Sequence, residues 1–376
     1  MRVFGFLRGP SFAVAAVLGA ITIGQPPAGH AAPALPMPQF AYDTQWLKLP
    51  EKMFMGEVTA AVVDRNDHLW VLHRPRTVKD HDASEIAPPV LEFDSQGHFL
   101  RGFGGPGPGY EWPEVEHSLA LTAKGEVWVG GNFKGNLAKP DGHGDDMLLE
   151  FDNAGRFVRQ IGRKGAGTGN GDTMNFKAPA DIYVDDRAGE VYVADGYLNQ
   201  RVVVFSARDG HFLRMWGAFG APPPAGKPDV TQSTTPSPDP QSEKGSPTFS
   251  GVHGVEKSRD GLIYVSDRAN QRIQVFTPAG KYLRQGFVNR NLSAPLTASG
   301  ITFSKDREQK YLFVADWGNG MIVVLDRKTL QTIGTIGHAG TAPGEFKGPH
   351  LIDTDSHGVI YVAEVQGRRL QRLVPK

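Results

Sequence analysis

The sequence predicts an all-β protein, a six-bladed β-propeller in which four-stranded antiparallel blades close into a ring. Three observations carry this. The stretch Gly251–Phe276 holds three apolar runs, Val252–Val255, Leu262–Val265 and Ile273–Phe276. Each is short, rich in β-branched residues and ended by turn residues, as strands are. With Tyr282–Gln285 they make a unit that recurs at about 40 residues, the period of a propeller blade. Finally, the last repeat is one strand short, while a spare strand, Phe40–Leu49, precedes the first. The N-terminal strand is therefore expected to pair with Arg369–Val374 and close the ring, removing open sheet edges.

In chain order, residues 1–32 read as a secretory signal peptide. Arg2 and Arg8 give the positive start, Ser11–Ile23 is apolar but too short to span a bilayer, and Gly29-His30-Ala31-Ala32 offers small residues for cleavage. The expected localisation is secreted or periplasmic, with no transmembrane span after cleavage. Residues 33–39 are a Pro-rich spacer and 40–376 the propeller. Blade one reads TAAVVD, HLWVLHR, VLEFD and HFLRGFG. Blade two is HSLALT, EVWVGG, MLLEFD and FVRQIG; blade three is ADIYVD, EVYVADGY, RVVVFS and HFLRMWG. Blade four is the stretch above. Blade five is SGITFS, YLFVADW, MIVVLD and TIGTIG, and blade six is HLIDTD, VIYVAEV and RLQRLV. Three insertions interrupt the pattern: Pro75–Pro89, Gly130–Asp146, and a Pro/Ser/Thr-rich segment at 221–248. In an antiparallel blade all three emerge at one mouth of the ring, where loops on a rigid scaffold carry function.

Composition narrows the partners. The 376 residues hold 40 Lys+Arg against 40 Asp+Glu, so no global charge draws the chain to nucleic acid or an anionic membrane. The chain has no Cys, so an exported protein of this sequence is held by its core alone and carries no lipid on a cysteine. A monomer is expected. The Gly-rich connectors, such as IGRKGAGTGNGDTMNFKAP, join strand to strand with no helix after them; they read as tight turns rather than phosphate cradles.

The chemistry sits at one register. Ten residues before the centre of each second strand stand Thr59, His117, Asp181, His253, approximately Ser299, and His350. Histidine thus falls in blades two, four and six, about a third of a turn apart. First strands line the central channel, so the three imidazoles are expected to converge on the axis. That is a three-His zinc site with an open position. The ends of the second strands reach the same mouth with Arg74, Tyr197, Arg268 and Trp317. Beside a metal, an Arg forks a carboxylate and a Tyr hydroxyl acts as a base. Asp195, Asp267 and Asp316 recur at one position and are expected to fix turns.

The repeated V-x-D and S-D-R-A-N-Q-R-I-x-V-F elements resemble the NHL-repeat propellers over residues 56–374, a resemblance that specifies fold. A more specific set follows: His73-Arg74, HSLAL at His117, Asp195–Arg201, VHGV at His253, Asp267–Gln274 and Pro349-His350. Together these resemble the peptidylglycine α-hydroxyamidating lyase family. Its enzymes are six-bladed propellers that split a peptidyl-α-hydroxyglycine into a peptide amide and glyoxylate. The resemblance implies a metal-dependent carbon–nitrogen lyase. His117, His253 and His350 would hold zinc, Tyr197 would be the catalytic base, and Arg74 and Arg268 would engage the carboxylate of a small peptide-like substrate. The sequence departs from the family in having Leu351, not Asp, after the third His, which puts a structural calcium in doubt. It also lacks the family's disulfides and any fused monooxygenase domain. The alternative from another class is a non-enzymatic NHL-repeat propeller binding a peptide or envelope protein. A lactonase-like hydrolase, with carboxylate and Asn ligands to calcium, fits the three His poorly.

Overall fold

Alternation of buried β-branched residues with turn residues produces six four-stranded antiparallel sheets among the described residues. The computed structural model describes residues 35–135, 144–225, 242–292 and 296–376, with Met1 and Gly5. The segment expected to be a signal peptide otherwise lies outside the described residues, as does most of the 221–248 insertion. Among the described residues no helix is long and apolar enough to cross a membrane.

Blade one comprises Glu57–Val63, Leu69–Arg74, Val90–Phe93 and Phe99–Phe103. Blade two comprises Glu116–Leu121, Val127–Gly131, Met147–Phe151 and Phe157–Gly162. Blade three is Asp181–Asp185, Glu190–Asp195, Arg201–Ser206 and Phe212–Trp216, and blade four is Val252–Lys257, Ile263–Asp267, Arg272–Phe276 and Tyr282–Phe287. Blade five is Ile301–Phe303, Tyr311–Asp316, Met321–Asp326 and Thr332–Ile336. Blade six takes Pro349–Thr354, Ile360–Glu364 and Arg369–Pro375 from the C-terminus, and its outer strand is Phe40–Asp43.

The closure register runs from Phe40 opposite Pro375 to Asp43 opposite Arg372, whose Nη1 donates to Asp43 Oδ2 at 2.9 Å. The expected strand Phe40–Leu49 is thus shorter than its apolar content implied, and its partner is Arg372–Pro375 rather than Arg369–Val374. The Gln45 N–H turns back onto Asp43 Oδ1 and ends it. Trp46, Leu47 and Leu49 then pack between blade six (Val359, Tyr361, Ala363) and blade one (Val58, Leu69, Val71). Their hydrophobicity serves this seam.

The core is divided the same way all round the ring. Each of the six apolar clusters joins two neighbouring blades, as Tyr192, Val202 and Val204 of blade three meet Val252, Val255 and Val265 of blade four. Fully burying one such Val, Leu or Ile contributes about 1.5–3 kcal/mol. The ring is therefore held by side-to-side burial and needs no cross-link. Ion pairs pin its turns: Arg201 Nε donates to Asp195 Oδ2 at 2.8 Å and Arg272 Nε to Asp267 Oδ2 at 2.7 Å, all four side chains fully buried.

Candidate metal and lyase site

The first strands line the axis, and four of them carry a β-bulge where they enter from the mouth. Pairing skips from Glu116 to Ser118, from Val252 to Gly254, from Pro349 to Ile352 and from Val58 to Ala60. The skipped residues are His117, His253, His350 with Leu351, and Thr59. A bulge frees a residue from the ladder and re-aims its side chain. Gly130 and Gly254 leave room for this: a Cβ on either would press on the neighbouring Ser118 or Ser266 hydroxyl.

The structure brings the three histidines together. Their ring centroids are 5.2 Å (His117–His253), 4.5 Å (His117–His350) and 4.8 Å (His253–His350) apart. One ligand nitrogen from each lies within 4.8 Å of the others, and all three residues are buried. His117 Nδ1–H donates to Ala180 O at 2.7 Å and His350 Nδ1–H to Thr59 O at 2.6 Å. Blades three and one thereby fix two tautomers in which Nε2 carries the lone pair and serves as an acceptor. Among the described residues His253 Nδ1 has no partner. Burial pushes His117 and His253 well below the usual imidazole range, assisted by His350 and Arg74 at His117 and by Arg268 at His253. Burial likewise takes His350 down to about 3. Three neutral imidazoles with two Nε2 lone pairs fixed are the donor set of a divalent metal such as zinc, so these residues fit that group.

Tyr197 joins them. Its hydroxyl donates to His117 Nε2 at 2.8 Å and lies 3.1 Å from His253 Nε2. Gly196 makes this approach possible, because it lies against the Val252 backbone where a Cβ would overlap. Arg268 is 5 % exposed, its Nη1 donates to Tyr197 Oη at 3.5 Å, and its Cζ is 5.3 Å from the Tyr197 ring. It makes no ion pair among the described residues, and its Nε has no partner. A buried cation in that state favours an incoming anion.

The remaining expected residues differ. Arg74 is in an ion pair with Glu57 (Nη1–Oε2 2.7 Å) and donates Nε to Glu116 O at 2.9 Å. It reaches the site through its charge, which depresses His117 and His350. Trp317 rests against Gly348 rather than among the histidines. His73 is a core residue: it accepts from Gly56 N–H and donates to Pro88 O, and burial holds it at about 4. Asp195, Asp267 and Asp316 hold turns through Asn199 and Arg201, Asn270 and Arg272, and Asn319.

Two features carried no signal in the repeat pattern. Lys134, in the loop after the second strand of blade two, places Nζ 5.2 Å from the Tyr197 ring. Further along the first strands, away from the mouth, the channel widens into a cavity of about 270 Å³ lined by Asp181, Glu256, Asp353 and Lys305. Asp181 shares the histidines' register yet turns into this cavity, where Leu351 also lies.

No family model matches the chain. NHL repeat-containing protein 3 of Mus musculus is 27% identical over 347 residues, covering 90% of this chain and 85% of that protein. Peptidyl-glycine alpha-amidating monooxygenase A of Xenopus laevis is 24% identical over 353 residues, 89% of this chain but 33% of that protein. A probable peptidyl-alpha-hydroxyglycine alpha-amidating lyase of Caenorhabditis elegans is 23% identical over 331 residues, 84% of this chain and 82% of that protein. These relatives support a propeller of the NHL-repeat type. Among solved structures, a streptogramin B lyase superposes with a TM-score of 0.54 at 13% identity, covering 90% of this chain and 98% of that one. At such identity the likeness shows the fold alone.

Proposed function

We propose that this protein is a zinc-dependent lyase that cleaves a peptidyl-α-hydroxyglycine, or a related small hemiaminal, to a peptide amide and glyoxylate. One observation carries the proposal. The Tyr197 hydroxyl bonds two of three converging neutral imidazoles and also touches the buried, unpaired Arg268. A base, a metal donor set and an anion receptor thus meet within one side chain's reach. Relatives named for amidating activity that align over most of this chain support the same reading.

His117, His253 and His350 would hold the metal through Nε2. Zinc bound there supplies a Lewis acid that lowers the pKa of the substrate's carbinol hydroxyl. The chain's own residues do the rest. Arg268 receives the substrate carboxylate on its unpartnered Nε edge, which fixes the carbinol carbon beside Tyr197. Tyr197 Oη, as the phenolate once its own proton has left to solvent, takes the carbinol proton. The oxygen electron pair forms the aldehyde C=O, the C–N bond breaks, and the nitrogen leaves as the amide once it gains a proton. Arg74 adds positive potential from outside this contact set.

The test pairs metal analysis with glyoxylate release from a peptidyl-α-hydroxyglycine. About one zinc per chain and saturable glyoxylate release support the proposal. Full zinc with no release above background defeats the lyase reading. The second reading is a binding propeller. The match to an NHL repeat-containing protein over 85% of that protein's length favours it. Purified protein free of stoichiometric metal would select it.

A further inference from the structure

We infer that Lys134 is the general acid that protonates the departing amide nitrogen in the proposed lyase reaction. This rests on the lyase reading above.

The reaction as drawn lacks a proton donor for the leaving nitrogen. Tyr197 takes a proton from oxygen, and a second proton must reach nitrogen as the C–N bond breaks. The other groups at the site do not supply it. One ring nitrogen of each of His117, His253 and His350 belongs to the converging metal donor set, and the Nδ1 protons of His117 and His350 are given to backbone carbonyls. The guanidinium of Arg268 does not release a proton in proteins. Arg74 is equally unsuited and is paired with Glu57. Asp181, Glu256 and Asp353 line the cavity further along the channel.

Lys134 is placed for the task. It stands on the loop that leaves blade two at the mouth, and its Nζ lies 5.2 Å from the centroid of the Tyr197 ring. The leaving nitrogen is two bonds from the hydroxyl that Tyr197 deprotonates, so base and acid must stand on adjacent sides of one carbon. A flexible four-carbon stem lets the ammonium follow the nitrogen as it pyramidalises. Partial burial, then the charge of Arg268, lowers the Lys134 ammonium below its ordinary range, which moves it toward the strength of a useful acid. The step balances. The carbinol O–H proton goes to the Tyr197 phenolate oxygen, the O–H electron pair forms the C=O, the C–N electron pair goes to nitrogen, and an Nζ proton goes to that nitrogen. The neutral amine and the tyrosine are reset when the phenol proton returns through solvent to Nζ.

The experiment uses the zinc-loaded full chain and a series of N-aroyl-α-hydroxyglycines whose ring substituents make the amide a progressively better leaving group. Wild type should show a shallow dependence of kcat on leaving-group acidity. Lys134→Met should lose on the order of 10²–10⁴ in kcat with the poorest leaving group and recover most of it with the best. Lys134→Arg keeps the positive charge but not the transferable proton. It should keep KM near wild type while showing the same kcat defect, which separates acid catalysis from charge or loop structure. The alkaline limb of the kcat profile should disappear in both variants. A Lys134→Met enzyme with wild-type kcat and the same shallow dependence overturns the proposal and leaves the lyase intact. So does a Lys134→Arg enzyme with full activity. A zinc-loaded wild type that releases no glyoxylate from any member of the series removes the lyase reading and this assignment with it.

Discussion

Replacing Tyr197 with Phe separates chemistry from architecture, because the substitution removes one oxygen and leaves the ring. That oxygen makes three contacts, to His117 Nε2 at 2.8 Å, His253 Nε2 at 3.1 Å and Arg268 Nη1 at 3.5 Å. The ring meanwhile keeps its two cation contacts, Arg268 Cζ at 5.3 Å and Lys134 Nζ at 5.2 Å from its centroid. Metal content should not change, since the bonds that orient His117 and His350 run from Nδ1 to Ala180 and Thr59 and do not involve Tyr197. In the metal-free protein two imidazole contacts are lost at about 1 kcal/mol net each, so chemical denaturation should register a loss of about 1–2 kcal/mol. Glyoxylate release should fall far more, by on the order of 10²–10⁴, the usual cost of deleting a general base. The loss should lie in kcat, because the carboxylate contact with Arg268 persists in the bound state. The assay is steady-state glyoxylate release at matched zinc content. A Tyr197→Phe enzyme with wild-type kcat would show that the proton goes elsewhere, and Tyr197 would then be only a packed aromatic at the rim.

His253→Ala should lower zinc content from about one per chain to well below it by elemental analysis; unchanged content would refute the three-His assignment. Arg268→Met should raise KM by roughly 10- to 100-fold, since a charge-assisted hydrogen bond contributes about 1.5–3 kcal/mol. It should also stabilise the ligand-free protein, which loses a buried unpaired cation; an unchanged KM places the carboxylate elsewhere. Asp181 is held at about 7 by burial, with Asp353 adding to the effect. Its folded form binds the proton more tightly than the unfolded chain, so stability should fall as pH rises from about 4 to 7, by at most about 4 kcal/mol. Asp181→Asn should flatten that fall, and melting curves at pH 4 and 8 that shift equally in both proteins would refute it. Deleting residues through Leu49 should expose the edge of Arg369–Pro375 and strip the seam that Trp46 fills; a monomer with unchanged melting would count against closure by the N-terminal strand.

The fold was legible because each blade repeats one pattern and because one strand was missing where another was spare. The histidine register was legible for the same reason, since a shared position in alternate blades becomes a shared depth in the ring. The bulges were not. Pairing skips His117 and His253 through glycines and serines that look like ordinary strand residues. The anchors of His117 and His350 are backbone carbonyls of neighbouring blades, which carry no side-chain signature. Asp181 shares the register but turns into the cavity, because blade three lacks the bulge found in its neighbours. Arg74 and Arg268 looked equivalent at the ends of second strands. Only the fold reveals that Glu57 neutralises the first and that the second is unpaired. Residues 44–49 read as strand because apolar residues are dense there, yet the density serves a seam between blades.

The ring's closure also sets an order of events during synthesis. Asp43 and Arg372 meet across 329 residues of chain. Made at about 5–20 residues per second, the chain takes tens of seconds to complete after its N-terminal strand has appeared. Throughout that time Phe40–Asp43 has no partner, and blade one has only one of its two lateral neighbours. The three-histidine cluster is late as well, because His350 lies on the first strand of the last blade, Pro349–Thr354. Entropy does not forbid so distant a closure: joining ends across this length costs only about 2 kcal/mol more than across a loop a tenth as long. The burden falls on time. The ring is complete only once Arg372–Pro375 has been made, so the Phe40–Asp43 edge stays unsatisfied while all the intervening blades are synthesised. Brevity and the charge of Asp43 are what that strand offers against pairing with the wrong neighbour.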